Sequence, residues 1–436
     1  MPTKKAEVED SVNQYDYIPD VPYELVEDRL KCIPSVIPLN LNERVYAFVN
    51  YFAVIDRDYT RMIMERTPLY FPIIEKYLKK YNLPDELKYL AIIESGLNPN
   101  AISRAGAVGL WQFMPGTGNY FKLHTDWYVD DRMDPYKATE AACQYLSQLF
   151  SIFNDWGLAL AAYNAGPGNV RRAIRRSGYK KNFWDIYRYL PRETRGYLPQ
   201  FVAMIYLLNN AEHHNLFSNH RKFLPESDTI YISQFLHIKT FAQQLNICLE
   251  EMQKLNPSIK WNALSKDVKN YPLRIPSDKY QVFLENQQVI LDSAGRTGKK
   301  EIEYMARNTV GSTYGREKLV YKVRSGDVLG TIAQRYRVRV SDIRKWNRLS
   351  GNLIRVGQRL DIWMYPGTKP RPVRKLAKAS PKPIPLLPNA RVYLVQPGDT
   401  LWDISKMYQD LSIEKIKKLN NLKTNKIVPG QKLVIG

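Results

Sequence analysis

"LPDELKYLAIIESGLNPNAISRAGAVGLWQFMPGTG" spans residues 83–118. Its first part reads as a helix over Leu83–Ser95, opened by Pro84-Asp85-Glu86, residue types favoured in a first turn. Leu87, Leu90, Ala91 and Glu94 fall at i, i+3, i+4 and i+7, so one carboxyl shares a stripe with apolar side chains. Burial disfavours the charged form and raises the pKa. Glu94 also sits in the last turn, before Gly96, a C-cap residue, where the helix dipole disfavours a negative charge. The plainer reading is a last-turn Glu that points to solvent.

The second part is a loop rich in Gly, Ser and Asn that leads into "GLWQFMP" (109–115). Trp111, Phe113 and Met114 offer apolar and stacking faces, and Gln112 offers amide hydrogen bonds. That mixture suits a sugar, with its apolar ring faces and polar rim, although such residues more often form core. An acid held protonated in an apolar wall is what glycosidic cleavage requires of a general acid.

Outward from this stretch the pattern stays helical. Helical apolar spacing covers Leu41–Met64 and then Phe71–Tyr81. Tyr136–Phe153 follows Asp134-Pro135, a start signal, and lines up Ala138, Ala141, Ala142, Tyr145, Leu149 and Phe153. Gly157–Tyr163 is short and apolar, "AAYNAGPGNV" (161–170) breaks a helix and presents Tyr163 and Asn164, and Thr194–Asn210 is the last clear helix. Strand alternation is scarce, so residues 41–220 are expected to form an all-α domain.

Beyond about residue 225 the pattern changes. Residues 320–362 resemble residues 392–435: Gly326-Asp327 matches Gly398-Asp399, Asn347 matches Asn420, and Gly357-Gln358 matches Gly430-Gln431. Each unit reads strand, helix, helix, strand, a small α+β (βααβ) module. Residues 230–276 read as a degenerate third copy that keeps Leu255-Asn256 but lacks the Gly-Asp turn. The expected organisation is multidomain: an N-terminal extension (1–40), the all-α domain (41–220), the degenerate repeat (228–278), a less regular connector (279–318), one repeat (319–364), an extended Pro/Lys-rich linker (365–390) and a second repeat (391–436).

The chain has 436 residues and a formal charge of +21, of which about +17 lies beyond residue 300. Such a half could meet nucleic acid, an anionic membrane face or an anionic wall polymer. Cys32, Cys143 and Cys248 have neither disulfide nor metal spacing, and Cys143 reads as a core residue. No metal or cofactor is implied. No apolar run approaches a membrane span. Met1–Asp20 holds no apolar signal core, so the chain is expected to be cytosolic or a mature form with its signal removed.

Four motifs in order resemble those of the soluble-lytic-transglycosylase family, within glycoside hydrolase family 23: Glu94-Ser95, Gly109–Pro115, Ala162–Gly166 and Glu193–Tyr197. The resemblance implies a goose-lysozyme-like, all-α catalytic fold. The repeats resemble LysM modules, which bind N-acetylglucosamine-containing glycans, and the combination resembles the membrane-bound group of lytic murein transglycosylases. By position, the resemblance implies Glu94 as the single catalytic acid/base and Ser103 as a hydrogen-bond partner of the substrate's N-acetyl side. It implies Gln112 and Met114 as cleft lining, Tyr163 and Asn164 as substrate-orienting, and Tyr197 as a neighbour of Glu94, with Glu193 as a partner further out. Trp111 departs from the Met of many members and should alter glycan contacts. In the repeats, the resemblance puts the glycan groove near Asp327, Val328 and Leu329 and near Asp399, Thr400 and Leu401. It further implies peptidoglycan glycan strands as partner and no nucleic acid. It implies a monomer in the periplasm at the outer membrane, with peripheral or lipid-anchored membrane association of the native precursor.

Three other readings compete. A lysozyme-type hydrolase needs a second carboxylate. Asp126, Asp130, Asp131 and Asp134 are near in sequence, but Asp134 reads as a helix N-cap and Asp131 with Arg132 as a structural pair. An inactive glycan-binding scaffold would be supported by the repeats alone. Nucleic-acid binding would need a basic stripe with interleaved aromatics, whereas the C-terminal charges are spread over repeats and linker.

Overall fold

The computed structural model describes residues 17–218, 222–368, 370, 391–396, 399–408, 410–428 and 430–436. Most of the Pro/Lys-rich linker, residues 1–16 and Gly398 lie outside them.

Among the described residues, eleven α-helices build the N-terminal domain: α1 (Tyr23–Lys31), α2 (Glu43–Asn50), α3 (Arg57–Lys80), α4 (Leu90–Ser95), α5 (Pro115–Tyr120), α6 (Pro135–Phe153), α7 (Trp156–Ala165), α8 (Pro167–Arg176), α9 (Phe183–Ile186), α10 (Arg192–Arg195) and α11 (Tyr197–Asn209). Their buried residues form one core from Val21 to Leu216. The all-α expectation holds, with corrections to its boundaries. The helix read over Leu41–Met64 divides at Asp56, after a π-helical turn at Tyr51–Ile55. The helix read over Phe71–Tyr81 is the end of α3, which runs unbroken through Pro68 and Pro72. The residues read as an extension contribute α1, whose Val26 and Leu30 join the core.

Local chemistry sets several ends. Asp134 caps α6 by accepting the backbone N–H groups of Tyr136 and Lys137. Helix α4 stops at Gly96, whose φ of +60° is the left-handed conformation a C-cap needs. Helix α7 runs almost wholly inside the core, with six of its ten residues buried, and ends where Gly166 turns to φ +82°.

The second region pairs β1 (Ser227–Ile232) antiparallel with β4 (Tyr271–Pro276), Ile230 opposite Leu273. Between them lie β2 (Leu236–His237), α12 (Ile238–Gln244), α13 (Leu249–Leu255) and β3 (Ala263–Leu264). The connector is not irregular. Helices α14 (Tyr280–Arg296) and α15 (Lys299–Asn308) press Phe283, Ile290, Ala294, Ile302 and Ala306 into the same core. Gly295 is the next-to-last residue of α14, and Gly298 is the left-handed N-cap of α15.

This core also takes in Trp127, Tyr128 and Val129 from the loop before α6. Val129 bridges Ile259, the Asp130 N–H donates to Ser258 O (2.9 Å), and Lys260 N–H donates to Tyr128 O (2.7 Å). Trp127 stacks on Trp261 with centroids 5.2 Å apart. The Arg274 guanidinium meets buried Asp134 at 3.1 Å and lies 3.7 Å over the Tyr136 ring.

The last two units follow the expected order: β5 (Glu317–Lys322), α16 (Leu329–Tyr336), α17 (Val340–Trp346) and β6 (Arg359–Met364), then β7 (Val392–Leu394), α18 (Leu401–Met407), α19 (Ile413–Leu419) and β8 (Lys432–Val434). One device recurs in all three small units. An asparagine after the second helix clamps the closing strand with both ends of its amide: Asn256 on Arg274, Asn347 on Asp361 and Asn420 on Val434. Asp327 and Asp399 supply a second one. Asp327 accepts from the Tyr321 hydroxyl and the Arg324 N–H, and Asp399 accepts from the Tyr393 hydroxyl and the Gln396 N–H.

Most of the residues near which a glycan groove was expected are engaged within their own units. The Asp327 and Asp399 carboxylates hold their own turns, Leu329 and Leu401 are buried, and Thr400 shares a capping box with Asp403. Only Val328 presents a mostly exposed apolar side chain.

Candidate active site

The last turn of α4 places Glu94 in the wall of a cleft of about 620 Å³. The same cleft is lined by Ser103, Gln112, Met114, Tyr163, Asn164 and Tyr197, so the six other residues singled out in the sequence converge on Glu94 from four separate segments.

Glu94 keeps part of its surface open to the cleft, yet protein crowds the carboxyl from the other sides. That desolvation is the main cause lifting its pKa from 4.5 to about 7. The Tyr197 hydroxyl donates to Glu94 Oε1 and pulls the value back down, while the Glu193 carboxylate raises it further. Burial drives the Tyr197 and Tyr163 phenols well above their ordinary value, so both stay protonated donors.

The loop after α4 is held from behind. Val108 bridges Ile102 and Phe113, and the Gly109 N–H donates to Ala101 O (2.9 Å). Gly109 adopts φ +88°, and a Cβ there would lie 1.8 Å from the Arg132 carbonyl oxygen. Arg132 in turn donates to the Gly106 and Phe113 carbonyls while paired with Asp130 at 2.6 Å. Gln112 sits at φ +46° and spends its Nε2 hydrogens on Gly109 O (2.9 Å) and Ala101 O (3.3 Å), leaving Oε1 without a partner among the described residues.

Ser103 Oγ accepts the Ala107 N–H (3.0 Å) and keeps its own proton free. Tyr163 donates to Trp111 O (2.9 Å), which fixes its ring in the wall. Asn164 Oδ1 accepts from the buried Thr194 hydroxyl (2.8 Å), leaving the amide Nδ2 without a partner among the described residues. Three residues beyond the expected set complete the arrangement. Ser95 ties α4 to the loop through Leu110 O (2.9 Å), Thr194 orients Asn164, and Tyr145 forms part of the lining. Ser95 and Thr194 stood inside the quoted motifs without a role, and Tyr145 was read only as part of a helix face.

Two aromatic readings are corrected. Trp111 is fully buried with Nε1 donating to Thr139 (2.9 Å), and Phe113 is 2% exposed, so both are wall rather than stacking platforms. Met114, 38% exposed, is the apolar side chain of that motif open to solvent. The four aspartates weighed for a hydrolase all have other partners. Asp126 caps the turn at Tyr128 and Val129, Asp130 pairs with Arg132, Asp131 pairs with Lys137 rather than with Arg132, and Asp134 caps α6. None of them lines the cleft, whose acids are Glu94 and the exposed Glu193. Among the described residues, no group of His, Cys, Asp and Glu could hold a metal ion, and no helix is long and apolar enough to cross a membrane.

Comparison with known proteins gives matches along most of the chain. Residues 71–186 match the family described as transglycosylase SLT domain. Residues 226–291 match the lytic transglycosylase MltD, LysM-like domain, and residues 321–363 and 393–436 match the LysM domain. The membrane-bound lytic murein transglycosylase D of Escherichia coli (strain K12) is 29% identical over 390 residues, 87% of this chain and 79% of that protein. The soluble lytic murein transglycosylase of the same strain is 32% identical over 147 residues, 32% of this chain and 23% of that one. The X-ray structure of the lytic transglycosylase Slt from Pseudomonas aeruginosa aligns with 28% identity and a TM-score of 0.28, over 34% of this chain and 26% of that one.

Proposed function

We propose that this chain, which belongs to the lytic murein transglycosylases and carries an SLT domain, a LysM-like domain and two LysM repeats, cuts the β-1,4 bond between N-acetylmuramic acid and N-acetylglucosamine and leaves 1,6-anhydromuramyl ends. The observation that carries this reading is Glu94: a carboxyl with a pKa of about 7 in a cleft of saccharide size, away from the four aspartates weighed for a hydrolase.

Protonated Glu94 gives its proton to the glycosidic oxygen as the bond to the muramic anomeric carbon breaks. The substrate's own acetamido oxygen relieves the positive character at that carbon. Glu94, now a carboxylate, takes the proton of the muramic C6 hydroxyl, and that oxygen closes on the anomeric carbon. The acetamido oxygen leaves, Glu94 ends protonated as it began, and no water is consumed. Substrate assistance thus stands in for the second carboxylate of ordinary glycosidases, and the intramolecular attack gains from proximity. A pKa near 7 suits a group that must be acid and base in turn.

The surrounding side chains keep complementary hydrogen-bonding capacity. Ser103 O–H and Asn164 Nδ2 remain to donate, Gln112 Oε1 remains to accept, and Met114 gives a ring an apolar face. Tyr197 steadies Glu94, and Tyr163 holds the wall behind it. The LysM repeats bind the glycan and raise the local enzyme concentration on the polymer. The repeat divisions at 319–364 and 391–436 are part of the same reading, as are a monomeric state and a place in the periplasm with peripheral or lipid-anchored attachment to the membrane.

Mass spectrometry of digested peptidoglycan tests the reaction: anhydromuramyl ends support it, and reducing ends sink it. Glu193, in the same cleft, favours a second reading as a lysozyme-type hydrolase. In that case Glu193→Gln should abolish release of reducing ends, whereas a transglycosylase should keep forming anhydro ends. A Glu94→Gln variant that digests wall at the parent rate would overturn the assignment of Glu94, and a parent chain that digests no wall would leave only a glycan-binding scaffold.

A further inference from the structure

The chain's positive charge is not confined to its C-terminal half. Residues 170–195 hold nine arginines and lysines against two acids, whereas residues 41–169 hold twelve against fourteen. Within that short segment α8 is the densest part. Val170 and Ala173 face the core, while Arg171, Arg172, Arg175 and Arg176 at i, i+1, i+4 and i+5 form one exposed cationic face. Arg171, Arg175 and Arg176 have no ion-pair partner among the described residues.

The helix that carries this face begins at the cleft. Ala165 and Gly166 line it, and Gly166 is the residue from which α8 starts. Ala165 is linked to the cationic face in two steps: Asn169 Nδ2 donates to Ala165 O (2.8 Å), and Arg172 donates to Asn169 Oδ1 (3.0 Å). Glu193, also of the lining, follows exposed Arg192. The helix that carries the arginines therefore starts from residues of the cleft lining.

We propose that the arginine face of α8 binds the carboxylate-bearing peptide stem of the substrate, so that the enzyme selects stem-bearing glycan over bare glycan. The proposal rests on the peptidoglycan reading of the cleft. Arginine suits the ligand, because its planar fork matches a carboxylate. The lengths agree as well. An extended stem of four or five residues spans about 13–18 Å, and a ten-residue helix spans about 15 Å. Such a stem meets successive carboxylate partners one helical turn apart. An anionic membrane surface is the competing ligand, and the start of α8 at the cleft lining favours the stem.

The test compares two soluble substrates, peptidoglycan-derived strands that keep their stems and the same strands stripped of stems by an amidase. The full chain should cut the stem-bearing strands with a kcat/KM about tenfold higher, the size expected when two or three exposed ion pairs form, and the difference should shrink as salt rises to 0.5 M. In Arg171→Glu/Arg175→Glu the preference should vanish while turnover of stripped strands stays at the parent level, which also reports an intact fold. Arg171→Lys/Arg175→Lys should keep part of the preference. A parent enzyme with equal rates on both substrates overturns the proposal, as does a glutamate variant with an unchanged ratio. Loss of sedimentation with phosphatidylglycerol vesicles at an unchanged ratio overturns it in favour of a membrane face. A parent that cuts neither substrate marks failure of the peptidoglycan reading instead.

Discussion

The Tyr197 hydroxyl donates to Glu94 Oε1 across 103 positions of sequence, joining the first residue of α11 to the last turn of α4. The bond stabilises the ionised form of a carboxyl that burial holds near pKa 7. Tyr197→Phe removes the donor and keeps the packing, so the Glu94 pKa should rise. Because the first step needs Glu94 protonated, kcat/KM falls as pH rises through the pKa of the free enzyme. The falling limb of the pH–rate profile should therefore begin near pH 7 in the parent and at higher pH in Tyr197→Phe. A limb that stays in place or moves to lower pH contradicts this account of the pair.

The same raised pKa has a cost in stability. Glu94 titrates at about 7 in the fold and near 4.5 unfolded, so its ionisation penalises the folded state. The penalty is absent below pH 4.5, grows as pH rises, and is complete above about 7, on the order of 3 kcal/mol. Glu94→Gln keeps an acceptor for Tyr197 and removes the penalty. Its thermal midpoint should exceed the parent's clearly at pH 8 and hardly at all at pH 4.5, while activity falls by about 10²–10⁴. Equal gains at both pH values would show that Glu94 is not the titrating group.

How much of this was legible follows from the range of the interactions. Glu94 was visible because its apolar stripe and the Gly96 cap are local patterns; Leu87, Leu90 and Ala91 are buried as read, although the helix read over Leu83–Ser95 is a 3-10 turn at Asp85–Tyr89 followed by the short α4. The recurrence of Asn256, Asn347 and Asn420 was visible as repeat spacing, and each proves to clamp a strand. Trp111 was misread because composition cannot tell a ring packed on Thr139 from one facing a sugar. Asp131 was given its sequence neighbour Arg132, when the partners are set by the turn, which hands Arg132 to Asp130 and Asp131 to Lys137. The insertion of Trp127–Val129 into another region's core depends on residues more than 100 positions away and leaves no local pattern. The arginines of α8 were hidden by averaging charge over halves of the chain.

Gly109 is the position in the cleft loop where a methyl group has nowhere to go. At φ +88° any side chain is strained, and its Cβ would overlap the Arg132 carbonyl at 1.8 Å. The clash is with backbone that also anchors Asp130 and the start of α6, so it cannot be relieved by a rotamer change. Gly109→Ala should lose well over 2 kcal/mol and most activity, because Gln112 and Met114 hang on this loop. Gly106→Ala is the matched control for strain alone: φ is +85° and nothing lies within 4 Å. It should cost roughly 1 kcal/mol and keep activity. Similar midpoints for the two variants in thermal denaturation would refute the argument from the clash.

Arg274 offers a test of how firmly the LysM-like region is joined to the helical domain. Its guanidinium pairs with Asp134, which is 1% exposed, and covers the Tyr136 ring. Asp134 Oδ1 meanwhile accepts two N–H groups at the start of α6, so Arg274→Ala leaves a buried carboxylate that is capped on one side only. Breaking a buried pair from one side costs about 3 kcal/mol, and loss of the stacked cation adds to it. For a body of this size the thermal midpoint should fall by about 6–10 °C. Arg274→Lys keeps the charge but not the planar stack and should fall in between. Neither change touches the cleft lining, so turnover of soluble glycan well below the midpoint should match the parent. A midpoint within 1–2 °C of the parent for Arg274→Ala would mean that the Val129–Ile259 bridge and the Trp127–Trp261 stack hold the junction without the ion pair.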